Sequence, residues 1–313
     1  MTASLRSMAR QWWPVLFLFA SLAFVYHYFS LQVGRLSLPS ELRWPYLAGA
    51  IVLQLLYWLL NSWCWQSAVR WCTGVRLSLL RGLSQLAMSA LGKYFPGKIW
   101  GMVARSSLLV QLGATKPQSI YVTLNEQFLI LYSACLTSAL AWCFVDRSAW
   151  SIALAAIAVV SVPALPALQK LAFALAARIL PAVVPRQEEM ALDSPKMVLL
   201  LAAYCIIWLL IGAIFCCVFY LMFPAEPALE VMARLTVANT VGIGIGFFAI
   251  FVPGGLGVRE AVTSSLLASQ LGLEQAILLC LTFRLWIVCS ELLSGITLLI
   301  PQTGQAPPKS GKP

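Results

Sequence analysis

Charge is scarce in this sequence. Only 10% of the 313 residues are Asp, Glu, Lys or Arg, against about 25% in a soluble domain. Acidic residues are the scarcer sign, 11 against 21 basic, for a formal net charge of +10. Histidine occurs once, at His27. Nine cysteines are present, yet no two form a CxxC pair. A zinc or iron–sulfur site therefore lacks its ligands, and no metal or other cofactor is expected. Ser106-Ser107 and Ser264-Ser265 have no histidine nearby to act as base. No GxxxxGK[ST] loop is present, which excludes ATP hydrolysis of the P-loop type. No enzymatic constellation emerges, and the chain is expected not to be an enzyme.

What is abundant is hydrocarbon. Hydrophobic residues make up 61% of the chain, and the mean hydropathy is +0.85. Apolar runs near 20 residues recur, each long enough to cross a bilayer core of about 30 Å. The cysteines sit in or beside these runs and read as small apolar packing residues. The basic excess then reads as topology and contact with anionic lipid, not as a nucleic-acid surface. Arg6 and Arg10 precede an apolar run that continues through Tyr26, Tyr28 and Phe29 with no small-residue cleavage site, so an uncleaved first membrane helix is expected.

The expected fold is all-α: a polytopic transmembrane bundle of about six spans plus two re-entrant hairpins. The full spans fall at about 13–31, 45–65, 118–143, 149–168, 197–223 and 275–300. Two further apolar regions, about 79–113 and 231–272, are interrupted by Tyr94-Phe95-Pro96-Gly97-Lys98 and by Val252-Pro253-Gly254-Gly255. In the first, the arm after the break runs from Ile99 to Leu112; as a helix it covers about 21 Å, too short to cross. In the second, the arm before Pro253 is long enough, but Asn239, Gly242, Gly244 and Gly246 make it a poor regular helix. Broken backbone at membrane depth is tolerated where protein or a water-filled cavity surrounds it.

Charge orders the topology. Arg6, Arg10, Arg70, Arg76, Arg81 and Lys116 fall on the cytoplasmic side, with the 169–196 loop and the Lys309/Lys312 tail. Both termini are then cytoplasmic, with Arg35 and Arg43 as exceptions on the far side. The segment 1–300 reads as one membrane domain and 301–313, rich in Pro, Gly, Gln and Lys, as a disordered tail.

The two interrupted regions resemble each other. PGKIWGMVARSSLLVQLG from Pro96 and PGGLGVREAVTSSLLASQLG from Pro253 share Pro-Gly, a following Gly, an Arg, Ser-Ser-Leu-Leu and Gln-Leu-Gly. Beyond them, Glu126 and Arg284 lie at comparable distances inside the next span. Three spans between the copies would invert the second, giving repeat halves at about 13–143 and 149–300. Inverted repeats with broken helices near the midplane are a recurrent transporter design.

The turn residues Pro96, Gly97, Gly101, Pro253, Gly254, Gly255 and Gly257 break helices and expose backbone donors able to hold an anionic group. Ionisable groups at membrane depth are costly and face a cavity or a partner. Those singled out for substrate binding are Lys98, Arg105, Glu126, Arg259, Glu260 and Arg284, with Lys93 and Glu291 beside them. A buried Glu126–Arg284 pair would tie the repeats together.

Lys93-Tyr94-Phe95-Pro96-Gly97-Lys98-Ile99-Trp100-Gly101 with Arg105, and Phe251-Val252-Pro253-Gly254-Gly255-Leu256-Gly257-Val258-Arg259-Glu260 with Arg284, resemble the two signatures of the lysylphosphatidylglycerol synthase/flippase membrane-region family. The resemblance covers most of residues 10–300. It implies a flippase-like integral membrane protein of the bacterial inner membrane that moves a polar or anionic lipid, of phospholipid or polyprenyl-phosphate type, between leaflets. The sequence ends shortly after its last apolar span, so the resemblance implies a member without the fused aminoacyl-transferase domain. Where the family often has Glu-Arg after the first motif, this chain has Glu126-Gln127. Membrane lipids are the expected partners. The rival reading is a non-transporting partner of a cell-envelope, lipid-modifying or polysaccharide-synthesis enzyme, docked through the 169–196 loop. A lipid-acting enzyme using Glu126, Glu260 and Glu291 ranks third.

Overall fold

Ten α-helices follow one another through the described residues of the computed structural model, which are 43–94, 100–179, 192–224, 228–249 and 253–300. They are α1 (Trp44–Thr73), α2 (Leu79–Gly92), α3 (Trp100–Gln111), α4 (Lys116–Val145), α5 (Ala149–Val160), α6 (Leu165–Ile179), α7 (Ser194–Met222), α8 (Leu229–Phe248), α9 (Val258–Leu271) and α10 (Leu273–Gly295). Short 3-10 turns lie at Val162–Ala164, Pro253–Gly255 and Ile296–Leu298, and no strand occurs among the described residues. The expected first span at 13–31, the first turn with Pro96, Gly97 and Lys98, and the tail at 301–313 lie outside the described residues.

Local chemistry sets the helix ends. Pro45 opens α1, where a missing N–H costs nothing, and Gly74, at φ 74°, closes it by donating to the Arg70 carbonyl. Ser78 accepts from the Arg81 N–H at the start of α2. Thr115 and Gln118 form a reciprocal capping box on α4. Arg43, an exception to the charge rule, donates to the Tyr220 carbonyl at 3.0 Å and lies over the Tyr46 ring. It thus satisfies carbonyls at the end of α7, a reason for a cation there that is independent of topology.

Six stretches are long and apolar enough to cross a membrane: Trp44–Thr73, Lys116–Val145, Ala149–Arg178, Ser194–Met222, Leu229–Phe248 and Leu273–Leu298. The chain is a multi-pass membrane protein. Its inward stripe on α1 carries Ala50, Gln54, Trp58, Ser62, Trp65 and Val69, while Ile51, Val52, Leu55, Leu56 and Leu59 point outward. Polar and aromatic groups therefore face the bundle and aliphatic groups face lipid, as a hydrocarbon solvent requires.

Two expectations are corrected. The segment before Pro253 is not a poor helix: α8 runs unbroken through Asn239, Gly242, Gly244 and Gly246. Its small residues permit close approach of neighbours. A Cβ at Gly246 would lie 3.3 Å from the Arg259 Cβ, and Gly242 sits directly under Thr263. Second, the 169–196 segment does not begin as a loop. The helical path continues past Pro163 into α6, whose Leu165, Gln169 and Phe173 are buried at i, i+4, i+8 spacing. Gln169 donates to Asn125 and Tyr121 of α4, and Phe173 packs edge-on against Tyr121.

α7 is the central post, packed against α1, α4 and α8 and touching α10. α2 and α3 pack on each other, as do α8 and α9. At Gly101 the α2–α3 contact is backbone to backbone: an added Cβ would lie 2.7 Å from the Ser89 Cα and 2.8 Å from the Met88 carbonyl. α2, α3 and α9 have 14, 12 and 14 residues, about 18–21 Å each and short of a crossing.

A candidate functional site between the end of α2 and the second Pro-Gly turn

The end of α2 and the second Pro-Gly turn touch. The Gly254 N–H donates to the Lys93 carbonyl at 2.6 Å. Gly254 (φ 60°) and Gly255 (φ 67°) both hold left-handed backbone. A side chain is disfavoured there. A Cβ on Gly254 would also come within 2.8 Å of the Arg284 Nη2 and 3.0 Å of the Tyr94 ring. Arg284, from mid-α10, donates to the Gly254 carbonyl at 3.0 Å and lies over the Tyr94 ring. The turn is thereby pinned by α10 on one side and by the end of α2 on the other.

Three carboxylates around this junction already have cations. Glu126 on α4 is gripped through both oxygens by Arg105 on α3, with Nη1 to Oε1 at 3.3 Å, and the Arg105 guanidinium stacks 3.6 Å from the Trp65 ring centroid. Both are almost fully buried, at 1% and 2% side-chain exposure. Glu260, near the start of α9, accepts from the Gly257 N–H at 2.7 Å and lies 3.7 Å from Arg284. Glu291 on α10 accepts from Lys93 and, at 2.8 Å, from the Tyr94 hydroxyl. The envisaged Glu126–Arg284 pair does not form, because each member binds within its own helix set. The two pairs are instead counterparts with charges exchanged. Arg105 on α3 meets Glu126 on α4; Glu260 on α9 meets Arg284 on α10.

Arg259 is different. Its Nη2 donates to the Asn239 Oδ1 at 3.0 Å and its guanidinium lies 5.8 Å from the Phe283 ring centroid. Among the described residues no carboxylate is within ion-pair distance of it. Four cations thus meet three carboxylates, and Arg259 carries the excess. It lines both lobes of a chamber between α1, α2, α3, α4, α7, α8, α9 and α10, of about 280 and about 260 Å3. Tyr57, Trp58, Asn61, Lys93 and Glu291 border both lobes. Arg105, Glu126, Gly254 and Arg284 border only the second, and Glu260 lies behind Arg259 on the side away from the chamber.

Of the residues singled out from sequence, Arg105, Glu126, Arg259, Glu260 and Arg284 therefore converge with Gly254 on one region. Pro253, Gly255 and Gly257 shape the turn, and Gly101 serves the α2–α3 contact. Lys98, Pro96 and Gly97 lie outside the described residues. Sequence reasoning passed over Tyr57, Trp58 and Asn61. The available signal was a polar and aromatic stripe, Gln54, Tyr57, Trp58 and Asn61, at i, i+3, i+4, i+7 in an apolar span.

Comparison with curated proteins finds no match to this chain. A family comparison does: residues 2–295 match the lysylphosphatidylglycerol synthase TM region, and the chain belongs to that family.

Proposed function

We propose that this protein is a lipid transporter of the flippase type that carries a lipid with an anionic or zwitterionic head group between leaflets of a bacterial inner membrane. The observation that carries the proposal is Arg259: a cation in a chamber within the bundle, with no carboxylate partner among the described residues. A lone cation among membrane helices is costly unless an anion or water attends it. A phosphate supplies that anion, and a guanidinium is suited to hold it by two hydrogen bonds. Lys93, 30% exposed and at the chamber wall, is the second donor in reach of a head group. Arg105 is already occupied by Glu126 and stacked under Trp65, so its role in this reading is to hold α3 against α4.

The resemblance of the two motifs and their charge-exchanged pairs support an inverted repeat in which the α2–α3 and α8–α9 units each enter and leave without crossing, the second turning back at Pro253. The joint at Lys93 and Gly254 would then be where the two halves move against each other. In this reading the protein catalyses no covalent step and needs no cofactor. Any envelope-synthesis enzyme it meets would be a supplier or consumer of its lipid.

The test is leaflet exchange in proteoliposomes over labelled anionic, zwitterionic and aminoacylated phospholipids and a polyprenyl phosphate. Exchange of at least one member that Arg259→Ala abolishes, with folding intact, is the expected result. Exchange that is indifferent to Arg259→Ala would sink the assignment. No exchange by folded protein over the whole panel would favour the non-transporting partner.

A further inference from the structure

We propose that the cleft between α1 and α10 is the lateral slot through which the hydrocarbon chains of the same lipid run while its head group occupies the Arg259 chamber; this rests on the head-group reading above. The cleft has a volume of about 450 Å3, more than either lobe of the chamber. Leu83 of α2 forms its floor. Its outer lips, Leu55 on α1 and Leu293 on α10, are 59% and 66% exposed and face the lipid. Its inner end is formed by Gln54, Trp58 and Ser290, and all three also line the chamber. Polar chamber and apolar cleft are therefore neighbours, with these shared side chains as the partition between them.

The cleft offers almost nothing to a polar occupant. Ser290, Ser294 and Thr297 on its α10 wall each donate back to a carbonyl of their own helical turn. Gln54 accepts from the Trp286 Nε1 at 3.0 Å, a hydrogen bond that crosses from one wall to the other. It is the one polar contact bridging α1 and α10 among the described residues. α1 packs chiefly on α7, and α10 chiefly on α9, so a side-chain latch and not a helix interface closes the inner end. A lipid whose head sits at Arg259 remains tethered to its chains, and those chains must stay in hydrocarbon. The cleft gives them a path from the chamber to the bilayer. Burial in it brings no hydrophobic gain, because the bilayer is equally apolar. Its role is passage and not affinity.

The test needs no transport. The full chain is reconstituted with phosphatidylglycerol or phosphatidylcholine bearing a photoreactive diazirine in mid-chain, and labelled residues are mapped by mass spectrometry. With phosphatidylglycerol, labelling at Leu83, Ser290 and Ser294, which line the cleft, is expected to exceed severalfold that at Leu209, a lipid-facing residue of α7. Leu55→Trp with Cys289→Trp fills the cleft and should remove that excess. Gln54→Leu opens the latch without adding bulk and should raise it, which guards against a filled variant that misfolds. Cleft labelling no greater than at Leu209 would overturn the proposal, whether another part of this chain or a partner covers the cleft. So would a filled variant that exchanges lipid at the wild-type rate. Cleft labelling that persists in protein exchanging no lipid would support the slot and remove the head-group reading instead.

Discussion

Arg105 and Glu126 form a pair whose members depend on each other. Both are nearly fully buried, so removing one partner leaves the other's charge uncompensated. Such losses cost about 3–5 kcal/mol, whereas replacing both members by apolar groups of similar size is often tolerated. Glu126→Leu alone is expected to lower thermal stability sharply in detergent. Arg105→Met with Glu126→Leu is expected to recover most of it. Equal losses in the single and double variants would mean that the pair does more than neutralise itself. Gly254 makes a second residue-scale prediction. With φ at 60° and Arg284 and Tyr94 against it, Gly254→Ala should cost about 1–3 kcal/mol and loosen the joint to Lys93. The measurement is thermal unfolding beside Gly244→Ala, a helical glycine with nothing within 4 Å of an added Cβ. Similar losses in the two would contradict the account of the turn.

At the scale of elements, much was legible in the sequence and the misreadings have physical causes. Uninterrupted apolar runs announced α1, α4, α5, α7 and α10, because a span must satisfy its backbone internally and face lipid. α8 was misjudged because helix propensity measured in water counts each glycine as a loss. Inside a membrane bundle Gly242 and Gly246 gain close packing against Thr263 and Arg259, and that outweighs the propensity. α6 reads as loop in the sequence because Lys170 and Arg178 interrupt its apolar pattern, while Gln169 finds partners only through the fold. Arg259 was recognisable as a charged residue after a turn. That it is the cation left over was not, since pairing depends on which helices meet. Whether α2 and α3 return to the side they started from is testable directly. Single cysteines at the exposed positions Arg76 and Lys116, in a background without reactive native thiols, should be labelled from the same face by an impermeant reagent. Labelling from opposite faces would show that the α2–α3 unit crosses the membrane.

At the scale of the whole molecule, the buried charged residues among the described ones, Arg105, Glu126, Glu260, Arg284 and Glu291, gather near one joint. The outward surface of α1, α5 and α7 is aliphatic, with Leu55, Ile157 and Leu209 all more than half exposed. Inside, the carboxylates hold helices together in pairs, and one guanidinium is left facing a chamber that the Gln54–Trp286 hydrogen bond separates from the cleft toward lipid. That arrangement ties the packing to the proposed transport: the pairs fix the frame and the unmatched charge selects the cargo. Removing the Arg259 guanidinium removes charge-assisted hydrogen bonds of about 1.5–3 kcal/mol each, roughly a 10–100-fold loss of head-group affinity for each bond lost. The most direct measurement is the rate of leaflet exchange of one anionic phospholipid in proteoliposomes containing wild type, Arg259→Lys or Arg259→Ala, each shown to be folded. The account predicts a fast wild type, a slowed Lys variant that keeps the charge but loses the fork, and an Ala variant no faster than empty liposomes. An Ala variant that exchanges lipid as fast as wild type would contradict it.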